Sequence, residues 1–326
     1  MKLAWAAGSA WCALGLVILA RVPSGVNAPD ARVTHQYPPG APGFARYSLG
    51  NLLPEEDQLR LGFTLMPMAD PLLTLSQAQA LKASAAPIYR ELESDSDFAR
   101  LGSVMSEAYR ELLGQSFDSG HSYVYIPSGL DRKAPAPVMV FFHGSGGNFK
   151  AYLWILAQVA DRTGAIVVAP SYGLGNWRAE ESVAAFDRAI ATAARLATID
   201  RRRISVAGLS NGGLAVSQVG AARGQDCASL IFLSPVFDRP AVQSDAFAAR
   251  WRNRPVLVVT GDQDDRVPLS YVERQVQVME QGRARVRLET ITPADHFLMF
   301  THRAQVEKLL VNWLGGLAQQ PVTNNE

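Results

Sequence analysis

The chain has 326 residues, of which 48% are apolar, and its formal net charge is +1. A chain of this length can bury a full-sized core, so we expect one large domain with an extension, or two small domains. The near-neutral charge argues against a broad electrostatic surface for nucleic acid. The only cysteines are Cys12 and Cys227, which excludes metal sites built on cysteine clusters. We predict no cofactor and no metal.

An uncharged apolar run, residues 3–20, opens the chain directly after Lys2. Such a run behind a basic flank is typical of an export signal or a signal anchor. Its length lies at the border between a signal-peptide core and a membrane span. We therefore predict that residues 1–28 are a signal peptide or signal anchor. The protein is expected to be exported, either periplasmic or secreted, with membrane attachment through residues 3–20 if the segment is retained.

Residues 29–117 are predicted to form a proline-rich connector followed by a helical extension. Prolines recur up to Pro42, and because proline fixes φ and lacks an amide donor, they indicate an extended connector. Apolar residues then recur at spacings of three and four over residues 74–94 and again over 97–114, which predicts two helices. The spacing of Ser76 and Gln79 predicts a capping box. We expect the two helices to pair as a hairpin against the main domain.

The pattern changes over residues 118–318, where short β-rich runs alternate with helix-length segments; residues 319–326 are a polar tail. This alternation predicts an α/β fold, a mostly parallel twisted sheet with helices on both faces. The reactive groups of such a sheet lie at the carboxyl ends of its strands. Candidate chemistry is therefore sought where each predicted strand ends.

The segment Gly208-Leu209-Ser210-Asn211-Gly212 joins a predicted strand to a helix rich in small residues. A serine on a sharp strand-to-helix turn takes strained dihedrals, and the residues two positions away on either side must lack Cβ for the turn to close. Gly208 and Gly212 occupy those positions. The helix N-terminus also points its amides at the turn. Ser210 is therefore the candidate nucleophile.

A serine nucleophile needs a base, and the base needs a carboxylate that orients it. His296 follows the last predicted strand and is the candidate base. The other four histidines fall in the connector, before the first strand of the main domain, after the strand "VMVFF" and in the last helix, in chain order His35, His121, His143 and His302. Three carboxylates follow the strand "VLVVTG", namely Asp262, Asp264 and Asp265.

The segment "VLVVTGDQDDRVP" resembles the acid loop of α/β-hydrolases, in which the acid stands three residues after a glycine. That resemblance favours Asp264 as the acid, with Asp262 and Asp265 as alternatives. The chain order Ser210, Asp264, His296 is the order that the nucleophile turn of this fold leads us to expect.

The runs "VMVFFHGSGGN" and "IDRRRISVAGLSNGG" are similar to the polyester-depolymerase and feruloyl-esterase-like branch of the serine hydrolases with this fold. The resemblance covers residues 120–318. It implies that the backbone N–H groups of Ser145 and Asn211 form an oxyanion hole, and that His143 fixes the glycine loop. The chain lacks the disulfides of the secreted depolymerases and has no recognisable polymer-binding module. A small or medium-sized ester is therefore the expected substrate.

These motifs predict an exported serine hydrolase that cleaves carboxylic esters through a Ser-His-Asp triad and an acyl-enzyme. The alternatives are a serine peptidase or an acyl-thioesterase on the same fold, or a catalytically silent binding protein. Aromatic residues in the loops after the strands, or beside the candidate base, are candidates for the substrate pocket, with packing beneath a loop as the other interpretation. They are Tyr172, Trp177, Phe237 and Phe297.

Overall fold

The computed structural model describes residues 31–37, 51–114 and 120–318. Residues 3–20, and the tail at 319–326, lie outside the described residues, so the predictions about export and membrane attachment stay predictions. Within the described ranges, no helix is both long enough and apolar enough to cross a membrane.

Eight strands in the described part of the chain form one mixed sheet. They are β1 (Val33–Gln36), β2 (Ser122–Tyr125), β3 (Ala136–Phe142), β4 (Ile166–Pro170), β5 (Ile199–Leu209), β6 (Ser229–Leu233), β7 (Pro255–Gly261) and β8 (Arg285–Ile291). Their order across the sheet is β1-β2-β4-β3-β5-β6-β7-β8. Strand β2 runs antiparallel to both of its neighbours, and the pairs from β4 to β8 are parallel. The predicted α/β class is confirmed.

Strand β1 comes from the stretch that the prolines predicted to be an extended connector. Val33 pairs with Tyr125 and Gln36 pairs with Ser122, so this segment adds an antiparallel edge strand. Its side chains alternate between buried and half-buried, the pattern of a strand with one face on a core. An extended backbone is what an edge strand requires, and the connector therefore contributes to the sheet.

Helices cover both faces of the sheet. The helical extension, residues 51–114, contains α1 (Glu55–Leu65), α2 (Leu75–Ser94), α3 (Ser96–Ala99) and α4 (Met105–Leu112). The helices that follow are α5 (Lys150–Thr163), α6 (Ala179–Leu196), α7 (Gly212–Arg223), α8 (Arg239–Val242), α9 (Asp245–Trp251), α10 (Leu269–Gln281), α11 (Leu298–Thr301) and α12 (Arg303–Ala318).

Successive side chains of the central strands enter two different core layers, because side chains alternate across a strand. Phe141 and Leu257 face the layer formed with α1, α2, α5 and α12. Phe142 and Val258 face the layer formed with α6, α7, α9 and α10. The extension therefore covers one face of the sheet together with helices of the main domain.

The predicted capping box at Ser76 and Gln79 is wrong. The Thr74 hydroxyl accepts from the backbone N of Gln77 at 3.2 Å, and the Gln77 side chain accepts from the backbone N of Thr74 at 2.9 Å. Thr74 has the extended dihedrals that a cap requires, whereas Ser76 already lies inside helix α2. The helix therefore begins two residues earlier than the predicted box implies.

The predicted helical hairpin is also replaced by a different arrangement. Helix α2 packs against α1 and α5, and the second predicted helix is divided into α3 and α4. Between α3 and α4, side chains from outside these helices make hydrogen bonds with backbone groups. The Asn51 side chain accepts from the N of Ser103 at 2.9 Å, and the Tyr123 hydroxyl donates to the carbonyl of Gly102 at 2.6 Å. Tertiary hydrogen bonds thus replace one turn of helix.

Candidate active site

Ser210 occupies a sharp turn between β5 and α7. Its φ is 51°, in the left-handed region that residues with a side chain rarely adopt. A Cβ on Gly208 would lie 2.4 Å from the carbonyl oxygen of Gly212, and a Cβ on Gly212 would lie 2.1 Å from that of Phe142. Only glycine fits at these two positions, so the turn has the steric requirement that the sequence argument assumed.

A continuous chain of hydrogen bonds joins Ser210 to two residues distant in sequence. The Nε2 of His296 lies 2.9 Å from the Oγ of Ser210, and its Nδ1 lies 2.8 Å from Oδ2 of Asp264. A carboxylate only accepts hydrogen bonds, so the proton belongs on Nδ1 and Nε2 is the acceptor for the serine hydroxyl. The Asp264 side chain is fully shielded from solvent, while that of His296 is 12% exposed.

The acid loop after β7 distinguishes the three candidate carboxylates. The second oxygen of Asp264 accepts from the backbone N of Arg266 at 3.0 Å and from that of Val267 at 2.8 Å. Asp262 instead accepts from the backbone of Ala294, and Asp265 is exposed. Asp264 is therefore the carboxylate that contacts His296.

These groups follow β5, β7 and β8, whose carboxyl ends lie at one edge of the sheet. The strand order, the antiparallel β2, and a serine turn followed in the chain by Asp264 and then His296 form a single known architecture. The chain has the α/β-hydrolase fold.

Comparison with known proteins gives likenesses in structure alone. No family model matches the sequence, and no protein of curated function matches it. Est1E from Butyrivibrio proteoclasticus is 20% identical, with a TM-score of 0.49 over 61% of this chain and 95% of that one. A hyperthermophilic esterase from the archaeon Pyrobaculum calidifontis is 17% identical, with a TM-score of 0.48 over 60% and 80%. The esterase Est2 of Thermogutta terrifontis is 17% identical, with a TM-score of 0.49 over 63% and 90%. Assignment of the fold rests on the strand order and the turn.

The glycine loop after β3 passes beside Ser210. A Cβ on Gly144 would lie 3.1 Å from the Cβ of Ser210, so the backbone approaches the serine closely. Ser145 follows Gly144 and is exposed, and Asn211 stands at the start of α7. Ser145 thus follows a residue that lies against Ser210, and Asn211 directly follows Ser210; their role as donors stays a prediction.

His143 fixes this loop. Its Nε2 accepts from the backbone N of Tyr172 at 3.0 Å, and its Nδ1 donates to the carbonyl of Gly144 at 2.7 Å. The ring is fully buried, and burial lowers its pKa from 6.5 to about 4. The imidazole is therefore neutral, as its pair of bonds, one accepted and one donated, requires.

Three of the four aromatic residues predicted to line a substrate pocket are buried beneath the loops. Trp177 donates from its indole to the carbonyl of His143 at 2.9 Å, and Tyr172 stacks on it. Phe237 packs on a phenylalanine of β6. Their burial favours a packing role over contact with substrate. Phe297 is half-buried, with its ring 5.7 Å from that of His296, and lies beside the candidate site.

Sequence reasoning missed the residues that join the extension to the loops of the site. The Arg266 guanidinium lies 5.3 Å from the ring of Phe297 and forms an ion pair with Asp70 at 2.6 Å. The Glu111 carboxylate accepts from the backbone N of Leu174 at 2.6 Å and from the Asn176 side chain at 3.0 Å. No local pattern marks such pairs, because their partners are distant in the chain.

Proposed function

We propose that this protein is a serine hydrolase that cleaves carboxylic esters through an acyl-enzyme. The observation that carries the proposal is the unbroken hydrogen-bond chain from Ser210 through His296 to Asp264, on a turn that holds the serine at a strained φ. A serine hydroxyl that only packs or caps a helix needs neither a histidine at 2.9 Å nor a buried carboxylate behind it.

The geometry supports the following sequence of proton transfers. His296 accepts the Ser210 proton on Nε2 as the oxygen attacks the acyl carbonyl, and Asp264 stabilises the imidazolium that results. The amides of Asn211 and Ser145 hold the oxyanion. Collapse of the tetrahedral intermediate breaks the bond to the leaving alcohol, which takes the proton from His296. Water then cleaves the acyl-enzyme by the same steps, with His296 again as base.

An activity-based probe tests the nucleophile. A fluorophosphonate should label the wild-type protein, and the label should be absent from Ser210→Ala. The matched control is Ser217→Ala, because Ser217 is a buried serine of helix α7, which follows the turn, and its hydroxyl donates to the carbonyl of Gly213. This control should label normally. A folded wild-type protein that takes no label would identify the chain as a catalytically silent binding protein.

A substrate panel tests the ester assignment. We expect hydrolysis of p-nitrophenyl butyrate, with kcat at least about a thousandfold lower in Ser210→Ala. Matched peptide anilides and acyl thioesters should be poorer substrates by kcat/KM. A preference for the anilide would indicate a peptidase, and a preference for the thioester would indicate an acyl-thioesterase.

We further propose that the protein is exported, on the basis of the apolar run at residues 3–20 behind Lys2. Expression of the full chain and N-terminal sequencing test this proposal. A mature N-terminus within residues 20–30 in the exported fraction supports cleavage of the leader. An intact leader in the membrane fraction supports an anchor, and full-length protein in the cytoplasm contradicts export.

A further inference from the structure

The extension contacts three loops that surround the candidate active site. Asp70 forms the ion pair with Arg266 on the acid loop. Glu111 accepts a hydrogen bond from the backbone N of Leu174 on the loop after β4. Helix α4 packs on the glycine loop after β3, where a Cβ on Gly147 would lie 3.0 Å from a methionine sulfur of α4. The extension is thus part of the surroundings of the site.

The extension also carries an unusual surface. Among the described residues, every large apolar side chain that is well exposed belongs to it. They are Leu52, Leu53, Leu61, Leu65, Met66, Met68, Leu72, Leu75, Leu112 and Leu113. Single exposed apolar side chains are ordinary, but a concentration of them in one segment marks a surface that binds something apolar.

Several of these side chains flank the two carboxylates that anchor the extension to the site. On either side of Asp70, Met68 is 85% exposed and Leu72 is 49% exposed. Directly after Glu111, Leu112 is 70% exposed and Leu113 is 62% exposed. We call Met68, Leu72, Leu112 and Leu113 the apolar rim.

The part of the apolar rim beside Asp70, Met68 and Leu72, is connected to the candidate triad through a series of neighbouring side chains. Asp70 contacts Arg266, Arg266 lies over Phe297, and Phe297 is the neighbour of His296. An extended hydrocarbon chain attached to a carbonyl at Ser210 could follow this series of residues to the rim. This continuity with the site argues for the substrate itself as the occupant.

We propose that the apolar rim binds the hydrocarbon chain of the substrate, and that the preferred substrates are esters with a long acyl or alkyl chain. The proposal rests on the ester hydrolysis proposed above. Each methylene that leaves water on such a surface should raise affinity by about fourfold. The value of kcat/KM should therefore rise from p-nitrophenyl butyrate to the dodecanoate.

The test compares the ratio of kcat/KM for dodecanoate to that for butyrate among variants. Both Met68→Ser/Leu72→Ser and Leu112→Ser/Leu113→Ser should lower this ratio by about tenfold, the effect of losing burial of roughly two methylenes. The matched control is Leu61→Ser. Leu61 is 52% exposed on the same extension, but it belongs to helix α1 and does not flank either Asp70 or Glu111. Its ratio should change by less than about twofold.

A binding experiment separates this proposal from the proposed function. Calorimetry on Ser210→Ala should show tighter binding of dodecanoic acid than of butyric acid, and each of the two rim variants should reduce this difference by about tenfold. That result stands even if no ester is hydrolysed. Equal binding of the two acids overturns the proposal, whatever the activity. It is also overturned if sedimentation shows a dimer that Leu72→Ser dissociates while the chain-length ratio is unchanged, since the rim would then be an interface between two copies.

Discussion

The substitution Gly208→Ala tests whether the serine turn depends on close packing of β5 against α7. A Cβ at this position would lie 2.4 Å from the carbonyl oxygen of Gly212 and 2.7 Å from a methyl group of Val216. The φ of Gly208 lies outside the left-handed region, so alanine is acceptable to the backbone there and the cost is one of space.

The size of the effect follows from these distances. Ordinary contact begins at 3.4 Å, so the start of α7 must move by about 1 Å to accept the methyl group. Ser210 lies on the same turn, and its Oγ is only 2.9 Å from Nε2 of His296. A displacement of about 1 Å breaks that bond and should lower kcat/KM by about a hundredfold or more. Overpacking should also cost about 1–3 kcal/mol of stability.

Ester hydrolysis and urea unfolding measure the two effects separately. The control is Gly220→Ala in the same helix, where the new Cβ would meet side-chain atoms of Leu230 and Phe247, both at 2.9 Å. Those side chains can adjust without moving the turn. We expect the control to lose stability but to keep its activity within about threefold. A folded Gly208→Ala protein with activity close to that of the wild type would refute the reasoning.

Three further substitutions test other parts of the structure. Asp264→Asn should retain the fold but lower kcat by about a thousandfold or more in steady-state assays, because an amide nitrogen facing Nδ1 of His296 favours the wrong tautomer. His143→Gln should flatten the pH dependence of stability measured by urea unfolding. Burial lowers the His143 pKa from 6.5 to about 4, so the stability that depends on the neutral ring is complete above pH 6.5 and is lost as the pH falls toward 4. The loss in the wild type should be roughly 3 kcal/mol. Gly315→Ala should raise the free energy of unfolding by about 0.5–1 kcal/mol in thermal melts, since a Cβ there meets no atom within 4 Å and glycine is a poor helix former.

The parts of the fold that the sequence predicts are those that local pattern determines. The alternation of strands and helices follows from side-chain periodicity. The glycine-flanked serine between them follows from the lack of room for a Cβ at Gly208 and Gly212. The division of the second predicted helix could not be foreseen, because it depends on one hydrogen bond that the Asn51 side chain accepts and one that the Tyr123 hydroxyl donates, both with backbone groups far away in the chain.

The aromatic residues of the loops show a second limit. A tyrosine or tryptophan after a strand can line a pocket or pack beneath the loop, and its sequence context is the same in both cases. The hydrogen-bond partner of its polar atom decides between these two roles. The indole of Trp177 donates to the carbonyl of His143, and the buried His143 in turn holds Gly144 beside Ser210. These residues influence the candidate site through the loop.

Acidic residues of the extension satisfy backbone groups around the candidate site. Glu111 accepts a hydrogen bond from the backbone N of Leu174. Glu55 accepts one, at 2.5 Å, from the backbone N of Lys150, the first residue of α5 after the glycine loop. Glu55 is buried, and burial raises its pKa, so the structure bears an electrostatic cost to keep an acceptor there. The layer beneath contains fully buried residues of the extension such as Leu92 and Phe98. Without the extension these amides would lose their acceptors and this layer would face water. The extension and the main domain therefore share one layer of the core, and the extension helps to position the loops of the site.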